Sequence, residues 1–292
     1  MIAGPILVFG PSEAASAVAH RLHGAGLRVA LAADVPPKVH RRRMSFADVW
    51  WDGEAVLSGL ACVKVAPECL IQSGCPIGLV PFLALDTDAA LDLLSWSVAI
   101  DARLAKRGAA LRLRGQAALS IGCGPGHVAG ETCDVAVETR WGDDLGAVIL
   151  RGPTAALAGE PRAIDGVGRE RIVYAPVAGA LTVLRDIGDS VAVRDILARI
   201  GAHPVAAPVA GTLRGMLRDG IAVEIADKLC EVDPRPPDLA VFAGIGQRPA
   251  AIAEGVRRAI DMTGPRVPDG VQPVTVIPEP PTITIPEQES RP

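Results

Sequence analysis

The sequence predicts an α/β protein: a domain built on a parallel sheet, followed by a small all-β domain made of two repeats. Three observations predict it. Strand, helix and strand follow one another within the first ~30 residues, the length of a βαβ unit. Several later apolar runs end at glycine-rich or charged turns. A pentapeptide, Ala175-Pro-Val-Ala-Gly179, returns 32 residues later as Ala207-Pro-Val-Ala-Gly211. The chain has 292 residues, of which 49% are apolar and 21% charged, enough for about two domains with sizeable cores.

Ile6-Leu7-Val8-Phe9 reads as a buried strand ending at Gly10-Pro11-Ser12. Ala14, Ala17, Val18 and Leu22 have helical spacing over Glu13 to His23, with Ser12 as N-cap and Gly24 and Gly26 as the stop. Leu27 to Ala32 is the second strand, and a βαβ unit implies a parallel sheet with a right-handed crossover. Phe46 to Leu60 and Ala61 to Val65 read as short strands or a hairpin around Asp52-Gly53. Ile77 to Leu85 is an apolar run, and Asp88 to Trp96 reads as a helix. Ser97 to Ile100 and Ala118 to Ile121 are further strands, the second ending at Gly122-Cys123-Gly124-Pro125-Gly126. This is a Rossmann-like pattern over residues 1–150, and such sheets bind ligands at the carboxyl ends of their strands.

Residues 151–170 read as a linker. In the repeat of 171–235, Leu181 matches Leu213, Gly188 matches Gly220, and Val191, Asp195 and Leu197 match Val223, Asp227 and Leu229. Two such halves bury their apolar faces only against each other. The pattern resembles the barrel-sandwich hybrid fold of biotinyl and lipoyl carrier domains. Their modifiable lysine is missing from the turn between the halves, Ile200-Gly201-Ala202-His203-Pro204-Val205, so no biotin or lipoate attachment is expected. Residues 236–262 are expected to form a helix that packs back on the first domain. Residues 263–292 are proline-rich and read as a disordered tail.

Lys plus Arg is 29 against 33 Asp plus Glu, a net charge of −4, and aromatic residues are 3% of the chain. Both argue against nucleic-acid binding, which needs a basic surface and stacking platforms. No apolar stretch reads as a spanning helix, and Met1 to Gly10 lacks the basic start of a secretory signal. The six cysteines contain no C-x-x-C pair, which predicts a reduced, cytoplasmic protein with no metal site.

Candidate ligand groups lie at the strand ends. Gly10 and Ser12 begin the first helix, whose N-terminus favours an anion, although Glu13 in the first turn opposes one. Asp34 follows the second strand, where a carboxylate can accept from a ribose hydroxyl. Arg42 and Arg43, in the stretch Lys38 to Arg43, can bind phosphate in bidentate fashion. Asp101, Arg103 and Lys106 form a second group. Gly122, Gly124 and Gly126 can present an anion-binding nest around Cys123, whose thiol a positive potential would ionise. No catalytic acid–base pair accompanies them.

Taken in order, these pieces resemble a family of accessory proteins of selenium-dependent molybdenum hydroxylase systems, the YqeB type. The likeness rests on Ala19 to Gly26, Arg42-Arg43 before Ser45-Phe46, Asp101-Ala-Arg-Leu-Ala-Lys106 and Gly122-Cys-Gly-Pro-Gly-His-Val-Ala-Gly130. Glu138-Thr139 with Leu145-Gly146, the double Ala-Pro-x-x-Gly and Asp233-Pro-Arg235 complete it. Departures are Gly10-Pro-Ser-Glu-Ala-Ala15 for Gly-Ala-Gly-Asp-Leu-Ala, and Trp141-Gly142-Asp143 for Arg-Gly-His. The resemblance implies a maturation factor that binds molybdopterin cofactor or a nucleotide and docks a molybdenum hydroxylase or its assembly proteins, with an oligomer allowed. The alternatives are an NAD(P)-dependent oxidoreductase, with the arginines on a 2′-phosphate, and a non-catalytic scaffold that uses the β module.

Overall fold

The computed structural model describes residues 4–104, 109–156 and 161–264. Its first part is a mixed α/β unit. The strands are β1 (Ile6–Phe9), β2 (Val29–Ala33), β3 (Glu54–Leu57), β4 (Leu60–Lys64), β5 (Val80–Ala84), β6 (Val98–Asp101), β7 (Leu119–Cys123), β8 (Val128–Ala129), β9 (Val135–Val137), β10 (Val148–Ile149) and β11 (Gly152–Pro153). Nine of them form one sheet in the order β10-β9-β7-β6-β1-β2-β5-β4-β3. All pairs from β9 to β4 are parallel, and only the edge strands β10 and β3 run antiparallel to their neighbours. β8 and β11 pair apart from this sheet.

Helices cover both faces, which is why these strands are apolar at nearly every position. On one face Ile6, Val8, Leu31 and Ile100 pack against α1 (Glu13–His23) and α5 (Gln247–Thr263). On the other, Leu7, Phe9, Ala30 and Leu83 meet Leu70 of α3 (Pro67–Ser73) and Leu91 of α4 (Thr87–Asp92). A short α2 (Val49–Asp52) precedes β3. Several local expectations are corrected. The hairpin turn is Ser58-Gly59, not Asp52-Gly53, because Gly53 ends α2 in the left-handed region at φ 78°. α3 occupies the stretch before the Ile77 run, and α4 is shorter than read, with Asp86 capping it through Ala89 N–H.

α5 closes the face that α1 leaves open, and a glycine lets it do so. A Cβ on Gly255 would run into the Gly146 carbonyl and stand 2.8 Å from Val137 Cγ1. Gly255→Val is therefore expected to cost about 1–3 kcal/mol through overpacking, read as a lower urea midpoint. An unchanged midpoint would show that α5 rides loosely on the sheet.

The remaining strands are β12 (Ile172–Tyr174), β13 (Gly179–Val183), β14 (Ser190–Val191), β15 (Ile196–Ile200), β16 (His203–Ala206), β17 (Gly211–Met216), β18 (Ala222–Val223) and β19 (Lys228–Asp233). They make two four-stranded sheets, β12-β19-β17-β14 and β16-β15-β13-β18, around one core that includes Leu181, Leu197, Leu213 and Leu229. The repeat is visible atom by atom. Asp195 accepts from Ala192 N–H as Asp227 accepts from Glu224 N–H, and Arg194 and Ala226 share a positive φ. Each copy lends its short strand to the other: β14 pairs with β17, and β18 with β13. The two halves are thereby interlocked.

This module sits on the segment that follows β2. His40 carbonyl accepts Met216 N–H at 2.7 Å, and Arg42 Nε donates to Met216 carbonyl at 3.0 Å. Lys38–Asp227, Arg43–Asp186 and Arg218–Asp52 ion pairs surround those bonds. The tail, residues 265–292, lies outside the described residues.

Candidate functional site

The chain runs from β1 through α1 to β2 on one side, then returns from β5 through α4 to β6 on the other side of β1. The connections on either side of β1 therefore part at its carboxyl end, and open α/β sheets keep a crevice at such a point. A cavity of about 210 Å³ lies there. It is lined by Gly10 and Ser12 after β1, Asp34 and Lys38 after β2, Thr87 at the start of α4, and Arg103 after β6. Gly10, Ser12, Asp34 and Arg103, read from separate strand ends, come together in one place.

Gly10 adopts φ 103°, and a Cβ there would stand 3.1 Å from Arg103 Cγ, so glycine lets the arginine lie across the turn. Ser12 does not cap α1 as expected. Its hydroxyl turns to Ala102 carbonyl at 3.4 Å, and the first turn has no side-chain acceptor from the N-cap. Glu13 is drawn aside by Arg41, whose Nη1 donates to both its carboxylate oxygens at 3.1 and 3.2 Å. The positive end of the helix thus faces the cavity with its nearest acid engaged elsewhere.

Asp101 is buried at the end of β6. It takes Arg103 as a fork, Nε and Nη2 both at 2.9 Å, with Leu111 N–H at 3.1 Å and His127 Nε2 at 3.3 Å. Burial pushes its carboxyl pKa up, but the hydrogen bonds from His127 and Arg103, with their charges, hold it well below the usual range. Burial works against a charged His127, yet the bond to Asp101, the Cys133 thiol and the Asp101 charge raise its pKa to about 9. The hydrogen bond to Asp101 raises the Arg103 pKa. Asp101 is therefore a fixed anion that aims Arg103 toward the cavity.

The other expected groups are placed differently. Arg42 is spent on Asp48 at 2.8 Å and on Met216, and Arg43 on Asp186 at 2.9 Å, so both serve the module contact. The Gly122 to Gly126 loop is filled from within. His127 lies where a Cβ on Gly122 would be, and Gly124 gives its N–H to Val137 and accepts from Thr154 Oγ1 at 2.6 Å. The expected nest at Gly124 is absent, since its N–H is already paired. Cys123 is buried, and burial pushes its thiol up, away from ionisation, with the charge of Asp101 adding to it. Gly126 keeps a positive φ beside Ala110. Lys106 lies outside the described residues. The sequence places Arg41 in the basic cluster and His127 beside the glycine loop, but not their partners Glu13, Glu231 and Asp101, which are remote in sequence. Among the described residues, no group of three or more His, Cys, Asp or Glu is arranged to hold a metal, and no helix is long and apolar enough to cross a membrane.

No protein-family model matches the chain. Over 257 residues, 88% of the chain, it is 33% identical to the uncharacterized protein YqeB of Escherichia coli (strain K12). The chain is similar to YqeB over most of its own length. It spans about half of that protein, 47% of its length. The likeness to the YqeB type carried by the order of motifs thus extends over most of the sequence. Two solved structures of the ectoine utilization protein EutE (DoeB) from Ruegeria pomeroyi are weakly similar. The product-bound form is 24% identical over 29% of this chain and 27% of that one, with a TM-score of 0.21. The apo form is 13% identical over 79% and 86%, with a TM-score of 0.25.

Proposed function

We propose that this chain is an accessory factor in the maturation of a molybdenum hydroxylase, binding a phosphate-bearing cofactor at the carboxyl ends of β1 and β6. In this reading the first part is a Rossmann-like domain, the second a barrel-sandwich hybrid that docks a partner without carrying a prosthetic arm, and the protein works in the cytoplasm. The observation that carries it is the convergence of an uncapped helix N-terminus with Arg103 at the switch-point cavity. Both favour an anion. Asp34, which also lines the cavity, can accept a hydroxyl hydrogen bond from the rest of the ligand. The family resemblance supplies the cofactor class, molybdopterin or a nucleotide, and the client.

The test is a titration of the full chain with molybdopterin cofactor released from a hydroxylase, alongside ADP and NADPH. Binding of the pterin is expected, with at least a ~10-fold loss, ~1.4 kcal/mol, in Thr87→Trp, which fills the cavity from its rim. If no pterin, nucleotide or hydroxylase binds the folded chain, the reading is wrong. Binding of NADPH alone would favour the oxidoreductase instead.

A further inference from the structure

We propose that Arg41 is a positioning residue of the crevice: gripped by Glu231 of the β module, it holds the Glu13 carboxylate away from the anion, so that the crevice binds its ligand tightly only while the module is seated. The proposal rests on the crevice reading above and adds the part that the module plays in it.

One stretch of chain serves both places. Val35 and Lys38 line the cavity. A few residues on, the same stretch becomes the seat of the module, where the His40 carbonyl accepts Met216 N–H at 2.7 Å and Arg42 Nε donates to the Met216 carbonyl at 3.0 Å. Lys38, from the cavity wall itself, reaches Asp227 of the module at 2.6 Å. Arg41 lies within this stretch, and its guanidinium bridges the seam. Nε donates to Glu231 at 3.1 Å, and Nη2 to both oxygens of the same carboxylate at 2.9 and 2.8 Å. Nη1 is left for Glu13 and donates to both of its oxygens at 3.1 and 3.2 Å.

The two carboxylates differ in how firmly they are fixed. Glu231 is fully buried, with Lys228 and Arg171 also at 3.1 and 3.3 Å, so it is an immobile anion that sets the plane of the Arg41 fork. Glu13 keeps 20% of its side chain exposed and opens the first turn of α1, one residue after Ser12 of the cavity lining. A free carboxylate at that helix end and an anionic ligand would repel each other. An unsupported surface ion pair would restrain Glu13 weakly. A guanidinium locked from behind by a buried carboxylate restrains it without further ordering. Coupling between two sites is reciprocal, so a ligand that needs Glu13 held aside also favours the seated module.

The experiment titrates the full chain with molybdopterin cofactor and with ADP, alongside thermal melts. Arg41→Met is expected to bind at least ~5-fold more weakly than wild type, because Glu13 is released with its charge. Adding Glu13→Gln to Arg41→Met is expected to bring affinity back to within ~2-fold of wild type while the melt stays low, since Glu231 still lacks one of its cations. A purely structural role would leave affinity and melt low together. Glu13→Gln alone is expected to raise affinity less than ~3-fold, because Arg41 already offsets that charge, and this variant keeps the test decisive should Arg41→Met not fold. Ligand is expected to slow hydrogen exchange of the Met216 amide in wild type. Unchanged binding by folded Arg41→Met, a loss that Glu13→Gln does not recover, a gain of ~10-fold or more in Glu13→Gln alone, or Met216 exchange indifferent to ligand overturns the proposal and leaves the crevice standing. If neither probe binds wild type, or Thr87→Trp binds as wild type does, the crevice reading falls and this proposal with it.

Discussion

Glu231→Gln is expected to lower the stability of the protein by about 3–5 kcal/mol, the cost of leaving buried cations without their carboxylate. The side chain is fully buried and faces Arg41, Arg171 and Lys228, while His40 donates to it at 3.2 Å. Burial and then the Lys228 charge drive the His40 pKa down to about 3, so at neutral pH that ring is an uncharged donor. Burial raises the Glu231 carboxyl, but the His40 hydrogen bond and the Arg41 and Lys228 charges outweigh it, and the pKa falls well below normal. Replacing the carboxylate by an amide keeps the shape and removes the charge. The loss is expected at the module contact, because Arg41 ties Glu231 of the module to Glu13 on α1. Urea unfolding checks it. A loss below ~1 kcal/mol would mean the cluster behaves like a solvated surface network.

What the sequence could and could not reveal follows from distance along the chain. β1, α1, β2, β6 and β7 were legible because each is a local pattern, an apolar run closed by a glycine or a charge, and the cavity residues sit on the turns that close them. The two-copy module was legible from the 32-residue offset, but the exchange of β14 and β18 between copies was not, since either pairing would bury the same leucines. Gly53 misled because a left-handed glycine ends a helix as readily as it turns a hairpin. Arg42 and Arg43 misled for a different reason. A basic cluster after a strand looks like a phosphate site, and nothing nearby reveals partners at Met216 and Asp186, more than 140 residues away. Asp101 and Arg103, two apart, were read together; His127, which completes them, was read with the glycine loop, and nothing local in the sequence pointed it at Asp101.

That third member sets the pH response of the sheet edge. The pKa of His127 is raised by folding from the ordinary histidine value to about 9. The folded state therefore holds a proton that the unfolded chain releases near pH ~6.5. The stabilisation is complete below ~6.5 and is lost as pH rises through the folded value, a decline on the order of 2–3 kcal/mol between neutrality and pH ~10. Asp101 works in the opposite direction: its pKa is depressed, so its contribution is present above the ordinary aspartate range and fades only in acid. His127→Gln keeps a side-chain amide that can still donate to Asp101 but removes the titration. It is expected to melt lower than wild type at pH ~7 and to show a flatter melting profile up to pH ~10. A wild-type profile as flat as that of the variant would mean that the ring is neutral when folded. Asp101 would then aim Arg103 without a second cation beside it.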